Sequence, residues 1–130
     1  MNNLGFTLTQ IEGHDWGPPP GESHLVSDRL RNVPLKELGA EDLRLLIGQR
    51  IGLHHLIPLA IERLHHNPWE EGQMFPGDLL TAVATVPGSY WEKTPEVISR
   101  FQAVLDEVER RHRFYLEEVL PAWHRVFGGA

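Results

Sequence analysis

Residues 53–64 read LHHLIPLAIERL, and this stretch decides the fold class. Its apolar residues recur at the spacing i, i+3, i+4 and i+7, which places them on one face of an α-helix: Leu53, Leu56, Ile57, Ala60, Ile61 and Leu64. Pro58 lies inside this pattern, and proline removes a backbone donor. We therefore expect either a helix that begins near His55, with Pro58 in its first turn, or a helix that is kinked at Pro58.

The segments on both sides of this stretch also carry helix signals, and none shows the sustained alternation of a β-strand. Thr7 and Gln10 have the spacing of a capping box, and Gly13 is placed to end a first short helix. Three further short helices are predicted. The first runs from Ser23 to about Arg31, the second begins after Gly39, and the third runs from Pro76 to Val86. The last of these is apolar nearly all round, which indicates a buried, central helix.

The C-terminal segment predicts one more helix, with Thr94 as the N-cap and Pro95 at the first position. Its inward stripe is predicted to be Val97, Phe101, Val104, Leu105, Val108, His112, Tyr115, Leu116 and Val119. A straight helix from Pro95 to Phe127 would be about 50 Å long, whereas a domain of this size has a radius of gyration of roughly 14 Å. We therefore expect Pro121 to break or bend it.

Composition bounds the class of protein. The chain has 130 residues, of which 41% are hydrophobic and 23% charged, so we expect one compact all-α domain over residues 1–130, with short helices and ordered loops rich in proline and glycine. It has no cysteine and no apolar run of about 20 residues that could span a membrane. The segment Met1–Gly5 lacks the features of a secretory signal, so a cytoplasmic location is expected.

Histidine and glutamate raise the question of a metal site. Glu-x-x-His occurs twice, at Glu62–His65 and at Glu109–His112, and di-iron bundles use two such units pointing inward. However, Ile61 and Leu64 belong to the inner stripe, so Glu62 points nearly the opposite way. Signatures of nucleophilic catalysis and of phosphate binding are also missing. We therefore predict no catalytic residue, no metal and no cofactor, with a metal-dependent helical enzyme as the alternative.

The distribution of charge is more informative than its total. The net charge of −6 argues against a nucleic-acid partner and favours a basic protein. Residues 1–28 and residues 64–92 each contain four acidic residues and no Lys or Arg. Each of these acidic windows also holds a proline-rich loop with a tryptophan, Trp16 in the first and Trp69 in the second.

Rigid aromatic loops with uncompensated acids are good recognition surfaces, because the aromatic rings anchor a partner and the acids steer a basic one. The candidate contact residues are Asp15, Glu22, Trp69, Glu70, Glu71 and Asp78. In the competing interpretation, Trp16 and Phe75 fill the core and the acids only keep the protein soluble.

The same loops carry a resemblance to a known family. The segments LTQIEG (8–13), DWGPP (15–19), EDLRLLIGQ (41–49), LIPLA (56–60) and FPGDLL (75–80) resemble immunity proteins of bacterial contact-dependent growth inhibition systems. Members often carry an acid and a tyrosine where this chain has Gln73 and Phe75. The resemblance implies a cytoplasmic, non-catalytic inhibitor that binds the toxic C-terminal domain of the matching effector. The resemblance does not identify any residue of this chain as a toxin contact.

The leading hypothesis is thus a toxin-neutralising protein whose two acidic windows form the contact surface and mimic phosphate charge before a basic nuclease cleft. A metal-dependent enzyme and an accessory helical module with a small-molecule pocket are the alternatives. The C-terminal residues Phe114, Trp123 and Phe127 would either support a dimer or close the core, so the oligomeric state stays open.

Overall fold

A computed structural model describes residues 4–13 and 26–128, apart from the side chain of Phe127. Within these residues the chain is all-α, as predicted, and its only β-pairing is an isolated bridge between Glu71 and Pro76. The helices are α1 (Leu8–Glu12), α2 (Val26–Leu30), α3 (Ala40–Gly48), α4 (Leu53–His66), α5 (Asp78–Ala84), α6 (Gly88–Trp91), α7 (Pro95–Phe114) and α8 (Leu120–Phe127). A 3₁₀ turn (Leu35–Glu37) precedes α3, and a π turn (Tyr115–Val119) joins α7 to α8.

The core is built around α4, which packs against α3, α5 and α7. The inner stripe of α4 is completely buried from Leu56 to Leu64, as its spacing predicts. The helix begins at Leu53 rather than near His55, so Pro58 lies in its interior and not in the first turn. The buried stripe holds the helix together where Pro58 supplies no backbone donor.

The capping signal at the N-terminus is confirmed. The Thr7 hydroxyl accepts a hydrogen bond from the backbone N–H of Gln10 at 3.1 Å, and the Gln10 side chain accepts one from the N–H of Thr7 at 2.9 Å. The helix predicted from Ser23 is described only from Val26 onward. Both helices are short, so they depend on packing against the core for their stability.

The expectation for α5 is wrong in two respects. The helix begins at Asp78, which leaves Pro76 in the preceding loop, and only one face of it is buried. Leu79 and Val83 face the core, whereas Thr81 and Ala84 are exposed. A helix that carries apolar side chains on most sides is therefore not necessarily buried on all sides.

At Pro121 the C-terminal helix is interrupted but does not end. The π turn lies immediately before Pro121, and the helix continues through it to Phe127. In an α-helix a proline clashes with the carbonyl four residues earlier, and a wider π turn relieves that clash. Within the described residues, no helix combines the length and the apolarity that crossing a bilayer requires.

Candidate recognition loop

Residues 67–77 connect α4 to α5, and we call them the Trp69 loop. The Asn67 side chain accepts a hydrogen bond from the N–H of Trp69 at 3.1 Å, which turns the chain sharply after α4. At the other end, the N–H of Gly77 donates to the carbonyl of Trp69 at 3.2 Å. Pro68, the second residue of the loop, is fully buried. The two ends are therefore closed on each other, and the segment between them projects as a compact unit.

The carboxylate of Asp78 organises the interior of this loop. Its oxygens accept hydrogen bonds from the N–H groups of Gly72 at 2.7 Å, Met74 at 3.0 Å and Phe75 at 3.3 Å. The Asp78 side chain is only 2% exposed. These three N–H groups lie in a loop, where no helix or sheet supplies an acceptor. One buried carboxylate accepts hydrogen bonds from all three.

A second carboxylate reaches the loop from α3. The N–H of Gln73 donates to Glu41 Oε1 at 2.8 Å. Arg44, one turn further along α3, holds the same carboxylate in a bidentate pair at 2.7 and 2.5 Å, and its Nε lies 3.8 Å from Asp78 Oδ2. The guanidinium therefore neutralises two carboxylates at once and ties the loop to the scaffold.

Both carboxylates are stabilised in the ionised form. The hydrogen bonds from Arg44 hold the pKa of Glu41 below its ordinary value, and the N–H of Gln73 acts in the same direction. Burial alone would raise the pKa of Asp78, but the three backbone N–H groups and the Arg44 cation outweigh it, so the pKa of Asp78 is also lowered. At neutral pH the loop therefore rests on two charged acceptors.

Two glycines allow this close approach. A Cβ added at Gly72 would lie 2.5 Å from Glu41 Oε1 and 3.0 Å from Asp78 Oδ2, so a larger residue there would have to displace the Glu41 carboxylate. Gly77 has φ of +88°, and a Cβ there would lie 3.2 Å from the indole of Trp69. The Trp69 ring thus stands directly over backbone that only glycine can provide.

The tip of the loop exposes apolar side chains that the interior holds in place. Trp69 is 47% exposed, Met74 64% and Phe75 48%. The interpretation of Phe75 as a core residue is therefore wrong. Exposed Glu71 and half-buried Glu70 lie along the chain beside this group, and Glu70 pairs with Arg63 of α4. A rigid aromatic group beside acids is suited to anchoring another protein.

The structure brings some of the sequence-derived contact residues together and gives one of them a different position. Trp69, Glu70 and Glu71 share the outer part of the Trp69 loop. The Asp78 side chain is buried beneath it and accepts hydrogen bonds from the loop backbone instead of facing solvent. Asp15 and Glu22, together with Trp16, lie outside the described residues.

Three residues of this site were missed by the sequence analysis: Met74, which had no periodic partner, and the pair Glu41 and Arg44. The spacing i, i+3 of Glu41 and Arg44 on one helix was the available signal. It predicts a surface ion pair, whereas the pair is half-buried and bound to a loop 32 residues away.

The residues of the two Glu-x-x-His units do not form an interior site. Glu62, His65, Glu109 and His112 are all exposed. Across residues 4–13 and 26–128, no three acidic or histidine side chains gather closely enough to hold a metal ion. A surface cavity of about 420 Å³, lined by Arg50, His54 and Lys93 among others, lies on the side of α4 where that helix begins.

An all-α scaffold that presents exposed aromatic rings beside acids is suited to binding another protein. Comparison with protein families gives the more specific result: the CDI immunity proteins match residues 10–101. CDI is contact-dependent growth inhibition, and the chain belongs to this family of immunity proteins. Comparisons with curated proteins and with solved structures found no match. The family match covers the Trp69 loop and ends within α7, at Phe101.

Proposed function

We propose that this protein neutralises the toxic C-terminal domain of a cognate CDI effector by stoichiometric binding in the cytoplasm, without catalysing a reaction. Membership of the CDI immunity family supports the toxin as the partner. We assign the contact surface to the Trp69 loop because Trp69, Met74 and Phe75 are exposed there. The backbone of the loop is held in place by the buried carboxylate of Asp78 and the half-buried carboxylate of Glu41.

A loop ordered before binding loses little conformational entropy on association, which favours a tight complex. The contact surface proposed here consists of Trp69, Glu70 and Glu71 together with Met74 and Phe75. Asp78 supports them from beneath through its hydrogen bonds to the loop backbone. Asp15 and Glu22, from the other acidic window, extend the negative surface in this proposal.

The charge of this surface points to a basic toxin domain. Glu71 is exposed and makes no ion pair with a described residue, whereas Glu70 pairs with Arg63, and Arg44 lies close to Asp78. Acids in such a position steer a basic partner and raise the association rate more than they raise affinity. A nuclease cleft is basic because it binds phosphates, and it is the toxin class proposed for this surface, with the Glu71 carboxylate in the place of a phosphate.

The test is co-expression with the effector toxin encoded beside the gene. We expect W69A/F75A to lose protection and to weaken toxin binding by at least about 2 kcal/mol, because aromatic anchors dominate such interfaces. Ile98, which is 41% exposed on α7 and lies outside both acidic windows, provides the control I98A. Folded W69A/F75A that protects as well as I98A would refute the loop as the contact surface. A wild-type protein that does not bind the toxin at all would refute the function itself.

A further inference from the structure

The surface cavity of about 420 Å³ beside the start of α4 gathers side chains that carry positive charge or donate hydrogen bonds. Arg50 reaches it from the connection between α3 and α4, and Lys93 from the connection between α6 and α7. His54 and His55 line it from the first turn of α4, and Ser89 lines it from α6. The chain as a whole has a net charge of −6, so this cavity departs locally from the overall charge of the protein.

The two cations of the cavity have no carboxylate partner among the described residues. Neither Arg50 nor Lys93 takes part in the ion pairs that join described side chains. The Arg50 guanidinium donates to the backbone carbonyls of Ile47 at 3.2 Å and Thr85 at 2.9 Å. These two hydrogen bonds fix the position of the guanidinium without neutralising its charge, which therefore stays available to an anion.

A carboxylate in the lining does not cancel this charge. Glu12 lines the cavity, but its carboxylate lies 3.9 Å from the guanidinium of Arg31, which does not line it. The charge of Glu12 is thus already opposed by a cation outside the cavity. Arg50 and Lys93 therefore leave the described part of the lining with an excess of positive charge.

The first turn of α4 adds backbone donors on the same side. Its N-cap is Gly52, which lines the cavity and has no side chain that could accept a hydrogen bond. The N–H groups of His55 and Leu56 donate to the carbonyl of Gly52. Those of Leu53 and His54 donate to no described residue. The start of a helix attracts negative charge, and its unpaired N–H groups are suited to binding a phosphate.

The rest of the cavity offers an aromatic and apolar wall. Tyr90 is only 9% exposed, and its ring meets the ring of His54 edge-on, with the centroids 5.9 Å apart. Leu53 is half-buried and lines the same cavity. A volume of about 420 Å³ is several times larger than a phosphate ion and lies within the range of small-molecule pockets.

We propose that this cavity is a binding site for a small organic phosphate. Arg50, Lys93 and the first N–H groups of α4 hold the phosphate, and the imidazole groups of the first turn supply further donors. The organic part of the ligand lies against Tyr90 and Leu53.

The site is separate from the Trp69 loop. It lies where α4 begins, whereas the Trp69 loop follows the last residue of that helix, His66. The 14 residues of α4 place its two ends about 20 Å apart. Binding of the phosphate therefore does not require the toxin, and the proposal does not rest on the function proposed above.

The experiment is an NMR titration of the ¹⁵N-labelled protein, without toxin and at low salt, because salt screens such contacts. Adenosine 5′-monophosphate is the main probe, since it combines a phosphate with a flat ring. We expect it to shift the amides of Leu53 and His54 with a Kd of about 1 mM or lower. Adenosine and inorganic phosphate should each bind at least about tenfold more weakly. Ribose 5-phosphate distinguishes a nucleotide site, which it fills less tightly, from a sugar phosphate site, which it fills equally well.

The two lysines of the chain provide a matched pair of variants. Lys93 and Lys36 are both exposed, so K93E and K36E make the same change of charge inside and outside this cavity. K93E should raise the Kd for adenosine 5′-monophosphate by about tenfold or more, and K36E by less than about threefold. S89D, which places a negative charge at another exposed position of the lining, should act like K93E. Far-ultraviolet circular dichroism verifies that each variant is folded.

Three results would overturn the proposal. In the first, no phosphate probe shifts the amides of Leu53 and His54 at concentrations up to about 10 mM. In the second, adenosine binds as tightly as its monophosphate, and in the third, K36E weakens binding as much as K93E. A K93E variant that loses toxin binding, when no probe binds the wild type, would assign the cavity to an acidic group of the toxin instead.

Discussion

Glu41 on α3 and Gln73 in the Trp69 loop are 32 residues apart in the chain, yet the N–H of Gln73 donates to Glu41 Oε1 at 2.8 Å. Arg44 holds the same carboxylate and also lies close to Asp78. The loop between α4 and α5 is thereby fixed to a helix that packs on α5. The position of this loop therefore depends on α3 and α5 as much as on the residues of the loop itself.

Replacing Asp78 by Asn should loosen the loop. The amide offers one acceptor oxygen where the carboxylate offers two, and it removes the charge that faces Arg44. We expect the free energy of unfolding to fall by about 2 to 3 kcal/mol and the amides of residues 72–75 to exchange faster with solvent. Urea denaturation and hydrogen exchange measure these effects. The control is E71Q, at an exposed position of the same loop, and equal loss in both variants would contradict the assignment.

Stability should depend on pH through Glu41 and Asp78. Both pKa values are lower in the folded protein than their ordinary values of 4.5 and 3.8. The two ionised groups therefore contribute fully above those values, and their contribution is lost as the pH falls through the folded-state pKa values, because the unfolded chain binds protons first. Urea denaturation at about pH 7, 5, 4 and 3 measures the slope. E41Q/D78N should show a flatter dependence, and an unchanged slope would exclude these groups as the cause.

Replacing Gly72 by Ala should be costly although Gly72 lies in a loop. The added Cβ would lie 2.5 Å from Glu41 Oε1 and must displace a carboxylate held by Arg44. We expect a loss of about 1 to 3 kcal/mol. Gly48, at the end of α3, has nothing within 4 Å of an added Cβ, so G48A should be neutral or stabilise by about 0.5 kcal/mol. Thermal denaturation of the two variants makes the comparison, and a similar cost for both would refute the role of Gly72.

Ile61 tests the core assignment directly. Its side chain is completely buried on α4, and I61A should lower the free energy of unfolding by about 2 to 5 kcal/mol because it leaves a cavity. The matched variant I98A removes a similar volume from an exposed position of α7 and should cost less than about 1 kcal/mol. If urea denaturation gave the opposite order, the packing of α4 at the centre of the domain would be wrong.

The helices themselves were predictable because their signals are local. The capping box of Thr7 and Gln10 and the apolar spacing of α4 depend on residues within one or two turns of each other. The loop residues were predictable only as a composition, since Trp69 and Glu71 stand out as an aromatic and an acid without saying which way they face. Phe75 illustrates the gap, because a phenylalanine beside apolar residues is as compatible with the core as with the exposed tip.

Four features follow from the sequence: the class of fold, the positions of most helices, the net charge and the loop that carries the aromatic and acidic residues. The tertiary structure alone decided that Asp78 and Glu41 support this loop and that the stripe of α7 leaves the core after Val108. Periodicity places residues on a common face, but what that face contacts depends on chain segments far away in the sequence. The apolar face of α7 is buried only as far as other helices pack against it, and the spacing of its own residues does not indicate where that packing stops.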